Sequence, residues 1–410
     1  MNPKKLYISL LCAGLAILGL SFYFYGYEKT WQLWNIPTFM PPFLDFQLLP
    51  ASAESIRAGY NPAIENPLDP KGRIFNYPQI WYLILRSPIN FGWTIPLAII
   101  FIALFFISIA LFPGKLDRLS TLLLLLVTFS PAILLGVERA NVDIIFFSSM
   151  ALALSLSQTW LLGAFLALMF SVIFKIYPVL GAGFLFGVEK KRAYQTILIT
   201  LALTSVYFIF TLNDMLHVFS TTNKGDDWSY GWAVIPLLLH NRFGIRNPAV
   251  QVVFLIGALL ALLAMAALAF HHRPGTIKAP SNLRNQQAFW LGAGIYAGTF
   301  LLGNNWDYRL IFLLFTIPQL AEWAQQKIGF FTSLVRITLG ALVLSCWYLI
   351  FIKWFSFFKY GHQLAYLIDE SANWILFAGL VYLFVYSLPD WVFVDISRFG
   401  KKLASVTWER

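Results

Sequence analysis

Apolar residues dominate long runs of the chain, and polar residues gather between them. The first run extends from 6 to about 25, behind Lys4 and Lys5. Roughly 20 apolar residues are enough for one helical crossing of a bilayer. The run ends in Phe22, Tyr23, Phe24 and Tyr25. That is an interfacial aromatic belt rather than the small residues of a signal-peptide cleavage site. A retained first helix is therefore expected. Further runs lie at 91–112, 119–136, 142–156, 160–174, 177–188, 196–212, 249–270, 288–303, 308–323, 334–352 and 374–388. Several are too short to cross upright. The stretch 160–188 is interrupted by Lys175 and Pro178 and reads as two half-length helices that dip and return. Such breaks are tolerated at membrane depth only where they line protein or water. The pattern predicts an all-α polytopic integral membrane protein, a bundle of about 12 transmembrane helices in one domain over 1–410. It also predicts a long first outer loop at about 26–90 and a C-terminal tail at about 390–410.

Composition removes the soluble alternative. Charged residues make up 12% and hydrophobic ones 59%, with a mean hydropathy of +0.69. A soluble domain carries roughly 25% charge. Disorder is excluded by the same apolar content. The net charge of +10 would point to nucleic acid in a soluble chain. Here it reads as positive charge flanking spans on the cytoplasmic side, and no nucleic-acid partner is expected. The segments assigned to that side hold 16 basic residues against 6 acids. Lys190, Lys191 and Arg192, and the pair Lys401 and Lys402, are their tightest clusters. Both termini are expected inside, with the tail as an amphipathic helix on the inner leaflet. Cys12 and Cys346 sit in apolar runs, so no disulfide framework is expected. Zinc and nucleotide motifs are missing from the sequence.

The acids concentrate in the segments assigned outside, which makes that face the working one. Asp45 follows the first helix in apolar surroundings, where desolvation would suit a general base. On local sequence alone, a turn or helix-capping aspartate is the plainer account. Glu138, Arg139, Asn141 and Asp143 crowd one turn between apolar runs. They fit a local ion pair and an Arg139 fork on phosphate equally well. Lys175 lies within an apolar run beside Pro178, which favours a functional role over snorkelling. Asn304, Asn305, Trp306, Asp307 and Arg309 combine amides, an acid, a ring and a cation, a set suited to sugar and phosphate together. An outer turn with an internal salt bridge is the bland alternative. The segment 223–232 is polar, glycine-bearing and aromatic, and reads as a solvated loop or a mobile lid.

Taken in order, these features resemble a known family. An Asp follows the first helix, then come Gly59-x-Asn61-Pro62, Phe75-x-Tyr77-Pro78, the Gly136 to Asn141 turn, and Lys175-x-Tyr177-Pro178. The chain resembles glycosyltransferase family 87 of the GT-C superfamily, through motifs in its first half and mainly through length and helix count in its second. That resemblance implies a mannosyltransferase that uses a polyprenyl-phosphate-linked donor and inverts the sugar on the extracytoplasmic face. It implies a lipid or glycan acceptor and no cofactor. Asp45 would match the catalytic residue, and Lys175 the lysine of its element. Arg139 and Asn141 match a turn where many relatives show Gly-Gln-x-Asn, so this chain departs there with Glu138-Arg139-Ala140-Asn141. On this reading Arg139, Lys175 and Arg309 bind donor phosphate. Asn141, Tyr77, Asn304, Asn305, Trp306 and Asp307 bind sugar or acceptor. No metal is expected, because phosphate is already a good leaving group. The competing reading is a transporter or flippase of lipid-linked saccharides, which matched broken helices in the two halves would support. The sequence shows one break, near Lys175. A purely structural subunit is disfavoured by the polar outer loops.

Overall fold

The computed structural model describes residues 2–273, 282–327, 329–396 and 398. The expected tail therefore lies outside the described residues from 399 onward, with Lys401 and Lys402. Six described helices are long and apolar enough to cross a membrane: Pro3–Leu33, Phe91–Leu111, Lys190–Phe210, Pro248–His272, Phe330–Phe355 and Gly361–Tyr386. A seventh is added if Arg118–Thr128 and Pro131–Arg139, bent by 49°, form one span. The chain is thus an α-helical, multi-pass membrane protein. Its described strands are the two-residue pair Ser229–Tyr230 and Asn305–Trp306, joined antiparallel.

Local chemistry explains the helix limits. Asp117 and Ser120 form a reciprocal capping box, with Ser120 N donating to Asp117 Oδ1 at 2.7 Å and Asp117 N to Ser120 Oγ at 2.8 Å. The bend follows at Pro131, whose ring cannot continue a helix but suits the start of the next. The first helix runs further than the aromatic belt indicated. It bends at Gly26 and continues to Leu33, because Trp31 is buried against protein and the Tyr27 hydroxyl donates to the Glu138 carbonyl at 3.0 Å. A second helix, Leu44–Arg57, occupies part of the expected outer loop.

Side-chain contacts sort the segment ends into two sets. At one end Lys4 donates to the Pro113 carbonyl, Arg284 to Phe112 and Ser155, Gln287 to Ser157, and Gln286 to Ser387. Lys190 and Arg273 pair there with Asp395 and Asp390. Lys4, Lys190, Arg273 and Arg284, all expected on one side, thus share one end of the bundle among the described residues. At the other end Trp81 donates to the Phe174 carbonyl, Asn141 to Asp45, and Lys353 to the Gln32 carbonyl.

The break at Lys175 is present as expected. Helix Leu161–Phe174 stops there, and the chain resumes as the tight 3-10 stretch Tyr177–Gly187. A second break was not foreseen. Helix Leu283–Leu302 ends at Gly303, and the chain returns as the 3-10 stretch Asp307–Thr316 followed by Ile317–Ala324. Both 3-10 stretches pack on helix Leu283–Leu302. A Cβ on Gly294 would stand 2.3 Å from the Leu180 carbonyl, and one on Gly292 2.6 Å from that of Phe312. Small residues are how helices in lipid bring backbones together. Helix Pro248–His272 lies at the edge, with 11% of its most apolar window buried against 61% for each of the two last spans.

The strand pair ties loop 222–232 to the second break. Gly231 has φ of +126°, and a Cβ there would lie 2.2 Å from the Gly303 carbonyl. Gly231→Ala is expected to cost about 1–3 kcal/mol in backbone strain. The check is the unfolding temperature in detergent, and an unchanged value would show that this crossing yields freely.

Candidate functional site

A polar cavity of about 630 Å³ opens at the end of the bundle opposite Lys4. It is built around Asp45, at the start of helix Leu44–Arg57. The chain enters this helix through Phe43 in a left-handed conformation, which turns Asp45 inward from the preceding segment. The Asp45 side chain is 22% exposed. Its Oδ2 accepts from Asn141 Nδ2 at 2.8 Å, and its Oδ1 from Arg73 Nη1 at 3.4 Å. The surroundings are therefore polar, not the apolar pocket that the flanking sequence implied.

Arg73 is held in turn by Asp69. That carboxylate is fully buried and accepts from Arg73 N at 3.0 Å, Nε at 3.1 Å and Nη2 at 2.9 Å. Arg73 Nη2 also donates to the Leu44 carbonyl at 2.6 Å. Burial alone would lower the Arg73 pKa, but Asp69 and Asp45 outweigh it and hold the guanidinium charged. Arg139 closes the opposite side. It pairs with Glu138 at 2.9 Å, donates to the Pro37 carbonyl at 3.2 Å, and stacks 4.3 Å from the centre of the Phe39 ring. Lys71, Arg73 and Arg139 thus face the cavity with Asp45 as their one carboxylate. Asp69 and Glu138 hold Arg73 and Arg139 from behind, so the cavity is faced mainly by cations, which fits an anionic ligand. Tyr77 lines the same wall. Burial and the nearby charges of Asp45 and Asp143 keep its phenol far above the usual tyrosine value, so it stays a neutral donor.

Three polar residues meet beneath this wall. Asp143 is buried and accepts from Lys175 Nζ through Oδ1 and from Arg309 Nε, at 3.2 Å, through Oδ2. The Lys175 ammonium also sits 5.4 Å from the centre of the Tyr77 ring. The structure thus brings both breaks and the Glu138 to Asp143 turn to one point. Lys175 and Arg309 do not line this cavity.

The 304–307 set divides. Trp306 lines the cavity and donates from Nε1 to the Asn223 carbonyl at 3.2 Å. Asn304 is spent on both backbone groups of Gly225, at 2.6 and 3.1 Å. Asn305 donates to the Thr299 carbonyl at 2.6 Å and accepts from Arg309. Asp307 turns away from the cavity into a buried polar centre with Asp369 and Glu370. Asp227 joins it, bonded by Tyr348 Oη at 3.1 Å and by Arg242. Among the described residues, no group of three His, Cys, Asp or Glu side chains has a metal-binding arrangement. Loop 222–232 is pinned by the strand pair and by Asn304, so it forms a wall where the sequence allowed a lid.

Sequence reasoning missed Asp69, Lys71 and Arg73. The available signal was three charges on alternate residues, 69, 71 and 73, of the first outer loop. It also missed Asp369 and Glu370, two adjacent acids inside a span.

Fold and site together define an α-helical membrane protein with a cation-rich polar cavity at one end of its bundle. No family model matches the chain, and none of the curated proteins or solved structures does.

Removing the shared anion at Asp143 leaves two buried cations unpaired. Asp143→Ala is expected to destabilise the fold by about 3–5 kcal/mol. Thermal unfolding in detergent checks this, and wild-type stability in the variant would make the triad dispensable to folding.

Proposed function

We propose that the chain is an inverting glycosyltransferase of GT-C type, resembling family 87. It moves a hexose, with mannose the first to test, from a polyprenyl-phosphate donor to a lipid or glycan acceptor. The observation that carries this reading is Asp45, a partly exposed carboxylate in a cavity whose other charged walls are all cationic. Asp45 takes the proton of the acceptor hydroxyl. The hydroxyl oxygen attacks the anomeric carbon from the face opposite the phosphate. The carbon–oxygen bond to phosphate breaks, and the phosphate leaves with the electron pair. Arg73, Arg139 and Lys71 sit where they would stabilise that leaving charge. Asn141 and Arg73 orient Asp45 while leaving it lone pairs. Lys175 and Arg309, committed to Asp143, act through the wall that carries Tyr77.

The alternation of segment ends supports a bundle of about 12 traverses, with 143–156, 161–174, 177–187 and 307–324 as short inner ones. The gathering of Lys4, Lys190, Arg273 and Arg284 at one end supports that end as cytoplasmic and the Asp45 cavity as extracytoplasmic.

The paired breaks at Lys175 and Gly303 favour one second reading, a transporter of lipid-linked saccharides. Covalent transfer separates the two. With polyprenyl-phosphate mannose and a membrane lipid extract, wild type is expected to transfer sugar. Asp45→Asn, with its folding verified, is expected to lose about 10²–10⁴-fold in rate, the usual share of a general base. Vectorial movement of donor without transfer would replace the enzyme by the transporter. Transfer is further expected to survive chelation, and restoration by magnesium or manganese of activity lost to a chelator would overturn the metal-free mechanism.

A further inference from the structure

A second cavity, of about 820 Å³, lies on the other side of Tyr77. Cavities of roughly 300–1,000 Å³ are the usual size for a small organic ligand. Its lining differs from that of the Asp45 cavity. Arg86 is its one lysine or arginine and Asp214 its one carboxylate, so the charges balance. The remaining polar groups include the His217 imidazole and the amides of Asn61 and Gln79. Tyr60 and Tyr82 supply aromatic faces. Tyr82 Oη donates to Asn61 Oδ1 at 3.1 Å, which leaves the Asn61 amide N–H groups for a ligand.

One wall is helix Leu212–Thr221, directly after the span Lys190–Phe210. Leu212, Leu216 and Phe219 form an exposed apolar stripe on it, while Asn213, Asp214 and His217 face the cavity. A helix with one bare apolar face at the end of a span lies at the bilayer surface. It is latched to the first loop by Gln79 N donating to Asp214 Oδ2 at 2.7 Å and by His217 Nε2 at 3.1 Å from the Ala63 carbonyl.

We propose that this cavity binds the acceptor, and that the acceptor is an uncharged saccharide presented at the membrane surface. The proposal rests on the transferase reading and names the substrate class that reading leaves open. Balanced charge disfavours a phosphate, which the neighbouring cavity already suits. Planar amides and a carboxylate match vicinal hydroxyls, and tyrosine rings match the C–H faces of a pyranose. Tyr77 borders both cavities, so a sugar hydroxyl entering along it reaches Asp45.

The test uses the full chain in lipid nanodiscs. The soluble probes are mannotriose, maltotriose and galactotriose, and the membrane probes are diacylglycerols carrying the same sugars. Binding is compared between wild type and Tyr60→Ala/Gln79→Ala. These two side chains are exposed, and Gln79 keeps its backbone bond to Asp214, so the variant is expected to fold. Wild type should bind at least one sugar, and the variant at least tenfold more weakly. Binding of a free trisaccharide assigns a glycan acceptor, and binding of the glycolipid alone assigns a lipid headgroup. Either supports the proposal. No sugar bound, equal competition by sugar-free diacylglycerol, or an unaltered variant overturns it. Asp45-dependent transfer of sugar from polyprenyl-phosphate mannose to a membrane lipid extract is read separately. Its absence with saccharide binding intact retires the transferase reading, and its presence without saccharide binding retires only the acceptor cavity.

Discussion

One buried carboxylate organises the polar end of this protein. Asp143 receives Lys175 from the first break in the bundle and Arg309 from the second. Charges at such a depth are tolerated only when they are paired. Each cation stands where regular helix has given way, so the ion triad and the breaks require one another. Everything above it depends on this junction. Tyr77 rests on the Lys175 ammonium, Asn141 accepts from the Asp143 N–H two residues on and reaches Asp45, and Arg309 secures Asn305 beside the strand pair. The anchor is built from residues that take no part in the cavity's lining.

The two cavities divide the charge between them. One gathers Lys71, Arg73 and Arg139 around Asp45, and the other balances Arg86 with Asp214. On the proposed transferase reading, a charged donor and a neutral acceptor would each meet a matching environment, with Asp45 on the donor side. The partition by a neutral phenol keeps them separate without placing a second charge between them.

Much of the architecture was legible in the apolar runs, because a bilayer permits little besides helices at that depth. The break at Lys175 was legible because Pro178 and an isolated cation interrupt a run. Its counterpart after Gly303 was not, since the one proline of the run 308–323, Pro318, lies beyond the 3-10 stretch, which packs instead on Gly292. Within the site, Asp45, Arg139 and Asn141 converge as the motif order implied, whereas Arg73 comes from 28 residues beyond Asp45 through a loop that no periodicity describes. The segment 304–307 shows the limit most clearly. Four adjacent polar residues point to one ligand in the sequence, yet alternation through a short strand sends Trp306 to the cavity and Asn305 and Asp307 inward.

The fixed wall formed by loop 222–232 sets how traffic must run. Its strand pairing and the double clasp of Asn304 on Gly225 leave it no hinge. On the proposed reading, a donor with a long hydrocarbon tail would meet this wall as a fixed roof. Exit is left to the flank between the first outer loop and helix Leu212–Thr221, which is held by two hydrogen bonds and borders the lipid. On the proposed transferase reading, the fluidity of the surrounding bilayer, rather than the motion of a protein flap, would pace the release of the spent lipid.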